Sequence, residues 1–509
     1  MNPPENSRPH RWLLNVGTGY ADALIGGALF VVLTPVFVRE LGAQGYAVWL
    51  LAHVFTFYLG FLDIGFGHAQ VRFHARWAAT EQGKALQGLV STTTSGLFVA
   101  GTLAALTGMV LALVGPLGWT DTSGSMQADL RWVLALLSIN LWLAFPAGVL
   151  ANLYRGAQRF DLANLRSIAL RLITASAQLY CLLHGADLVW LAAIELAATG
   201  LRMLIDIWTL RTLLPALMHA PVRWNRRIWR GVRRFALWSA FEDLLMDGAT
   251  QLEQVLIALL LPLALLTPYS LANAAGGLLL LAIGPVSETL LPLAAQWHAE
   301  RHDAQLARLL SAGSKIAVGI AAPAALFLWM FGDQALRWWS PDGMAEAPPS
   351  LLPLICLHFL VSAFMTTSAM LLLAAGRVRT VAALTLVEVL LSTLLILLLA
   401  PRHGLVGVVT GLLVANVLIG FAFQLPIAAR AFSLDTPEFL RTVFGRVILA
   451  MAPCLLVAIG IRKLIPDGVW GLVMAAAAIG LCYLPAMYLL GTSAKERSEY
   501  RLLWEELRR

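Results

Sequence analysis

Apolar runs of about twenty residues or more fill most of the chain, separated by short clusters of arginine, acid, glycine and proline. A helix needs about 20 mainly apolar residues to cross a bilayer. Fourteen stretches qualify, at roughly 12–38, 45–69, 88–115, 131–154, 164–184, 187–212, 234–261, 266–293, 309–332, 350–374, 379–400, 404–429, 440–461 and 468–491. The runs are continuous rather than alternating, which excludes a transmembrane β-barrel. The first run is too long for a cleavable signal peptide, carries Asp22 and leads directly into the next. The pattern predicts an all-α polytopic membrane protein.

Composition supports this. Of 509 residues, 59% are hydrophobic and 13% charged, against roughly 25% charged in a soluble domain. A cytosolic enzyme, a secreted disulfide scaffold and a disordered chain are excluded. Cys181, Cys356, Cys454 and Cys482 lie far apart inside apolar runs, as small buried hydrophobes do.

The net charge of +7 gains meaning from its placement. With the N-terminus in the cytoplasm and spans alternating, 29 lysines and arginines fall inside, six fall outside, and Arg202 lies within the sixth span. That asymmetry follows the positive-inside rule and puts both termini in the cytoplasm. The basic balance reads as topology, not as nucleic-acid binding. Connections are short, with no room for a soluble domain or large catalytic loops, so no enzyme is expected. The stretch 221–237, with Trp224, Trp229 and Phe235 among arginines, reads as an interfacial helix. The tail 494–509 reads as an amphipathic surface helix.

A short repeat appears at an offset of 220 residues. Trp77, Leu86 and Leu89 correspond to Trp297, Leu306 and Leu309, and Tyr46 and Tyr269 precede them in similar places. Six spans separate the copies, so the halves share one orientation. The predicted organisation is an N-lobe of helices 1–6 over 1–212, a basic interfacial connector over 213–233 and a C-lobe of helices 7–12 over 234–430. Two added helices follow over 431–491, then a cytoplasmic tail over 492–509. Such lobes enclose a cavity that opens alternately to each side.

Charges at membrane depth are costly and face a cavity or a partner. On the first span, Asn15, Thr18, Gly19, Asp22 and Gly26 fall within about 100° on a helical projection. Tight packing through glycines would explain such a stripe, but Asp22 favours a cavity face. On the sixth span, Glu195, Arg202 and Asp206 fall within about 40°. Arg202 and Asp206 can pair at i,i+4; a buried ion network and a cavity cation with tuned carboxylates are equally open. On the seventh, Glu242, Asp243, Asp247 and Glu253 share one face of about 140°, near Gln251 and Gln254. With no cation in that span to balance them, they read either as a proton or Na⁺ coupling site or as residues of a loop before a span that begins later. Isolated polar groups are Arg171 and Gln178 on the fifth span, Glu288 on the eighth and Glu388 on the eleventh. No GxGxxG, P-loop, GxSxG or HExxH motif occurs, and the histidines are scattered.

Several motifs carry a family resemblance. They are Arg39, Leu41, Gly42, Gly45, Tyr46 and Trp49; Asp63-Ile64-Gly65 followed by Val71-Arg72-Phe73; and above all Gly156-Ala157-Gln158-Arg159-Phe160-Asp161-Leu162-Ala163-Asn164. Glu253-Gln254 stands where relatives often carry Asp-Arg or Asp-Lys. Over roughly residues 12–430 the chain resembles the polysaccharide transporter (Wzx-type) branch of the multidrug/oligosaccharidyl-lipid/polysaccharide exporter (MOP) superfamily. The resemblance implies a flippase that moves undecaprenyl-diphosphate-linked oligosaccharide, such as an O-antigen, capsule or exopolysaccharide repeat unit, across the bacterial inner membrane. It implies no cofactor beyond a coupling ion, H⁺ or Na⁺, and partners among the polymerase and chain-length proteins of the same pathway. Arg202 is the first expectation for a diphosphate contact, with Arg72, Arg155 and Arg171 near the inner entrance. Asp22, Glu195, Asp206, Glu242, Asp243, Asp247 and Glu253 are the coupling and cavity candidates. The rival readings are a multidrug exporter of the same superfamily, a polysaccharide polymerase or ligase, and a structural scaffold.

Overall fold

The computed structural model describes residues 8–63, 65–79, 82–114, 124–218, 222–281, 283, 294, 297, 303–462, 464, 468–493, 496 and 497. Every regular element among them is helical, as apolar runs in lipid require, because a helix satisfies its own backbone polar groups. The side chains of Asn15 and Glu242, Glu288, and the tail beyond Arg497 lie outside the described residues.

Two compact units divide the chain, Met1–Ala264 and Leu265–Arg509. The first opens with α1 (Arg8–Gly60), two helices joined where Gly42 takes φ 72. The apolar pattern predicts an unbroken span over 45–69, but the structure interrupts it. The helix ends at Gly60, a 3-10 turn covers Phe61–Asp63, and α2 (Phe66–Ala79) restarts beyond. Gly65 accounts for the break: its φ is 68, and a Cβ there would run into the backbone of Ala236. Glycine meets both conditions at no steric cost.

Next come α3 (Gly83–Val114), α4 (Gly124–Gly156), α5 (Phe160–Leu183), α6 (Leu188–Leu213), the short α7 (Pro215–Met218) and α8 (Arg226–Leu260). α3 packs on α4, α4 on α6, and α1 on α5. Phe66, Leu89, Phe145, Leu153, Leu210 and Ala236 form the core of the unit. The repeat and the span count open a second lobe at residue 234, whereas the structure packs α8 on α1, α2 and α3 within the first unit.

The Gln-Arg-Phe-Asp stretch is the turn between α4 and α5. Gln158 takes φ 57, Arg159 N donates to Tyr154 O at 2.8 Å, and the Arg159 guanidinium donates to both Asp161 carboxylate oxygens at 3.1 and 3.2 Å. Partial burial pushes the Asp161 carboxyl up, but the Arg159 bonds outweigh it and hold the group below its ordinary range.

The second unit holds α9 (Leu266–Leu281), α10 (Asp303–Trp339), α11 (Leu351–Ala374), α12 (Val378–Val417), α13 (Leu425–Phe432), α14 (Thr436–Leu440), α15 (Arg446–Ile461) and α16 (Val469–Ala486). α12 breaks at Gly404, φ 58, and a π-turn over Leu418–Gln424 leads into α13. Phe364, Leu371, Phe432 and Phe439 belong to its main core.

The residues of the repeat are buried in, or packed on, the core of their own unit. Leu86 and Leu89 are buried in the first core, with Trp77 packed on it. Leu306 and Leu309 are buried in the second, with Trp297 packed on it. Tyr46 and Tyr269 are both buried.

Ten helical stretches among the described residues are long and apolar enough to cross a membrane. Two of them, Gly17–Asp63 and Val378–Phe432, run to 47 and 55 residues; the bilayer core takes about 20. α5 and α8, which the apolar pattern also reads as spans, fall outside this set. Large apolar side chains such as Leu24, Leu103, Trp208, Leu456 and Leu481 point outward, as in a multi-pass protein whose outer solvent is hydrocarbon.

Candidate functional site

In the first unit the membrane-depth charges form two cavities and one closed ion cluster. The larger cavity, about 730 Å³, is lined by His53, Thr56, Asp63, His68, Asp243 and Asp247, among others. Two helices supply most of the polar wall, and α2 adds His68. His53, Thr56, Gly60 and Asp63 recur at helical spacing along α1 and its following turn, and Asp243, Asp247 and Gln251 recur at four-residue spacing along α8. Phe57, Phe61 and Leu141 make part of the apolar wall.

Two of the lining carboxylates, Asp243 and Asp63, have partners. His68 Nε2 lies 3.0 Å from Asp243 Oδ2. Asp63 Oδ1 accepts from the Gly67 N–H at 3.3 Å. His53 Nε2 lies 3.2 Å from Glu195 Oε2, and His53 Nδ1 lies 2.9 Å from Trp49 O. A carbonyl oxygen can only accept, so Nδ1 carries a hydrogen. A hydrogen bond between Nε2 and Glu195 then needs a second proton, on either the ring or the carboxyl group. The pair therefore holds one exchangeable proton.

Glu195 also lines a smaller cavity of about 390 Å³ with Gly26, Asn140, Arg171, Gln178 and Thr199. Arg171 Nη2 lies 3.5 Å from Asp22 Oδ2. A Cβ at Gly26 would collide with the Arg171 guanidinium, so the glycine makes room for it. Asn140 Oδ1 is buried, with no hydrogen-bond partner among the described residues. The stripe on the first span thus divides. Thr18 accepts from Asn164 of α5 at 3.2 Å and Asp22 meets Arg171, while Gly26 reaches the cavity.

Asp206 is fully buried and pairs with Arg166 of α5, whose guanidinium lies 5.2 Å from the Tyr154 ring centroid. The i,i+4 pairing with Arg202 allowed by spacing is replaced by this pairing between helices. Arg202 stays within electrostatic range of both groups, and its buried Nε has no hydrogen-bond partner among the described residues.

Other expected residues lie elsewhere. Arg72 stacks over the Phe235 ring at 4.3 Å. Arg155 is exposed in the last turn of α4. Glu253 is half-buried near Tyr58, whose hydroxyl donates to Gly248 O at 2.8 Å. In the second unit Glu388 accepts from Asn416 Nδ2 at 3.1 Å. Sequence reasoning missed His53, Asp63 and His68 as site members. The 53, 56, 60, 63 spacing was the available signal, hidden because residues around it are apolar and the helix breaks after it.

The profile of the family described as polysaccharide biosynthesis protein matches residues 21–298, more than half of the chain. No curated protein matches the sequence. Among solved structures, the lipid II flippase MurJ in an inward closed conformation superposes with TM-score 0.71 at 13% identity, over 94% of this chain and 98% of that one. An inward-facing multidrug resistance MATE transporter of the MOP superfamily gives TM-score 0.63 at 15% identity, over 80% and 96%. The MATE multidrug transporter DinF-BH gives 0.54 at 15% identity, over 83% and 97%. At these identities the likeness is one of fold, while the profile match fixes the family: the chain belongs to the polysaccharide biosynthesis protein family.

Proposed function

We propose that the chain is a flippase for undecaprenyl-diphosphate-linked oligosaccharide in the bacterial inner membrane, working by alternating access with both termini cytoplasmic. The observation that carries this reading is the ionisable lining inside an apolar bundle. Arg171, which pairs with Asp22, lines the smaller cavity with Glu195, and Glu195 links it through His53 to the acid-lined larger one. A diphosphate and a hydrophilic glycan cannot cross hydrocarbon unaided and need such a surface.

Arg171 is the first choice for the diphosphate, ahead of Arg202, because it lines a cavity and a guanidinium matches phosphate oxygens. The His53–Glu195 and His68–Asp243 pairs, with Asp63 and Asp247, form the coupling site. Histidine changes charge in the physiological range, which suits H⁺ over Na⁺. Proton loading would favour one access state over the other. No covalent bond is made or broken, and the polymerase and chain-length proteins act on the flipped product.

The test is the leaflet at which lipid-linked oligosaccharide accumulates in a deletion strain, read with an impermeant glycan-modifying reagent. Completed units should be trapped on the inner leaflet, and Arg171→Gln should rescue far less well than the wild-type chain. Units reaching the outer leaflet unpolymerised would refute the reading.

Three cavity carboxylates also favour a second substrate class, lipophilic cations. Saturable dye binding lost in Asp247→Asn, in a chain that leaves the oligosaccharide phenotype unchanged, would select it.

A further inference from the structure

We infer that the first unit carries a site for an anionic membrane phospholipid, built from a cationic headgroup pocket and an apolar groove in series along α3. The site is separate from the cavities above and does not depend on the proposed function. The pocket, about 500 Å³, is lined by Lys84, Ser91, Arg223, Trp224, Arg226 and Arg227, among others. Four cations face this space, and among the described residues no carboxylate lines it. Such a concentration of like charge calls for an anion.

The pocket is held in shape. Ser91 Oγ donates to Arg223 O at 2.8 Å and accepts from Arg223 N at 2.8 Å. Gln87 Nε2 donates to Ala216 O at 3.1 Å. These bonds clamp the segment before α8 onto α3. Asn225 Oδ1 accepts from Arg227 N and Ile228 N at 3.0 and 3.3 Å. The end of α8 is thereby capped, and the attraction comes from side-chain charge.

The groove, about 410 Å³, is lined by Phe66, Gly96, Val99, Leu103, Trp224 and Trp229, among others. Trp224 lines both compartments, in the interfacial position that indoles favour. A Cβ at Gly96 would lie 2.6 Å from Phe66 Cζ and 3.1 Å from Trp224 Cζ3, so the glycine keeps the groove open. Val99 and Leu103 are 58% and 53% exposed and face outward beside it. At 1.5 Å per residue, the middle of the groove lies about 17 Å along α3 from the middle of the pocket. That is about half the thickness of the hydrocarbon core. Phosphate in the pocket and an acyl chain in the groove satisfy charge and apolar surface together.

The experiment is native mass spectrometry of the full chain in nonionic detergent, titrated with phosphatidylglycerol and, separately, phosphatidylcholine. Phosphatidylglycerol should be retained preferentially. Lys84→Gln should weaken it about five-fold, and Arg223→Gln with Arg227→Gln about 25-fold, at roughly one surface charge's worth per substitution. Gly96→Leu should also weaken it, by filling the groove. These cations are exposed, and monodisperse elution with unchanged circular dichroism checks that the charge variants fold. Equal retention of the two lipids, or charge variants that bind as the wild type does, would overturn the site. Competition by inorganic phosphate as effective as by the lipid would reduce it to a simple anion pocket. Displacement by a polyprenyl diphosphate at lower concentration than phosphatidylglycerol would make it a substrate dock instead.

Discussion

His74 shows how far one buried side chain shapes the pH response. It is 2% exposed, and its ring lies where a Cβ on Gly156 would stand. Burial pushes its imidazole down to about 4, while in the unfolded chain it titrates near about 6.5. Between those values the unfolded state binds more protons. The stability contribution is therefore fully present above about pH 6.5 and is lost as pH falls toward about 4. A His74→Phe variant should lose less Tm than the wild type between about pH 7.5 and about pH 5. Equal losses would show that His74 is not the titrating group. At this scale the sequence was legible by residue type but not by neighbour. Asp22, Asp243 and Asp247 stood out because acids are rare in apolar runs. Arg171 could not be matched to Asp22, His68 to Asp243 or His53 to Glu195, because a helical projection gives a face and not what packs on it.

At the scale of elements, ion pairs fasten helices that the sequence leaves independent. Arg166 and Asp206 join α5 to α6. Arg166→Gln should destabilise the protein by on the order of 3 kcal/mol, the cost of an uncompensated buried charge. The double variant with Asp206→Asn should recover most of that loss in thermal unfolding in detergent. A double variant no more stable than the single one would mean that the charge pair is not what matters.

The second fastener is Lys315 of α10. Its Nζ donates to both Glu496 carboxylate oxygens at 2.7 and 2.9 Å, with Arg446 at 3.7 Å. Burial pushes the Glu496 carboxyl up, but the Lys315 bonds outweigh it and hold it low. The tie is therefore present above the ordinary carboxylate range and is lost as pH falls through the lowered value. Glu496→Gln should speed tryptic cleavage after Arg497 several-fold at neutral pH. Unchanged cleavage would show that the tail is held by other contacts. From the sequence this tail was readable as amphipathic, while its partner on α10, 181 residues away, was not.

For the whole molecule, periodicity and charge placement made the fold class legible, since long apolar runs admit few structures in lipid. Of the repeat residues, Leu86 and Leu89 are buried in the first unit's core and Leu306 and Leu309 in the second's. The break at Phe61–Gly65 and the packing of α8 in the first unit were not legible. The break is fixed by the approach of Gly65 to Ala236, a contact across 171 residues of sequence. The packing of α8 brings Asp243 to His68 and Asp247 into one cavity with His53.

The most direct measurement is transport by the purified full chain in liposomes loaded with undecaprenyl-diphosphate-linked oligosaccharide, with an imposed pH gradient. The glycan should become accessible to an impermeant probe on the far leaflet. The rate should rise with the gradient and fall at least ten-fold in Arg171→Gln. No transfer above protein-free liposomes, under either gradient direction, would contradict the flippase reading.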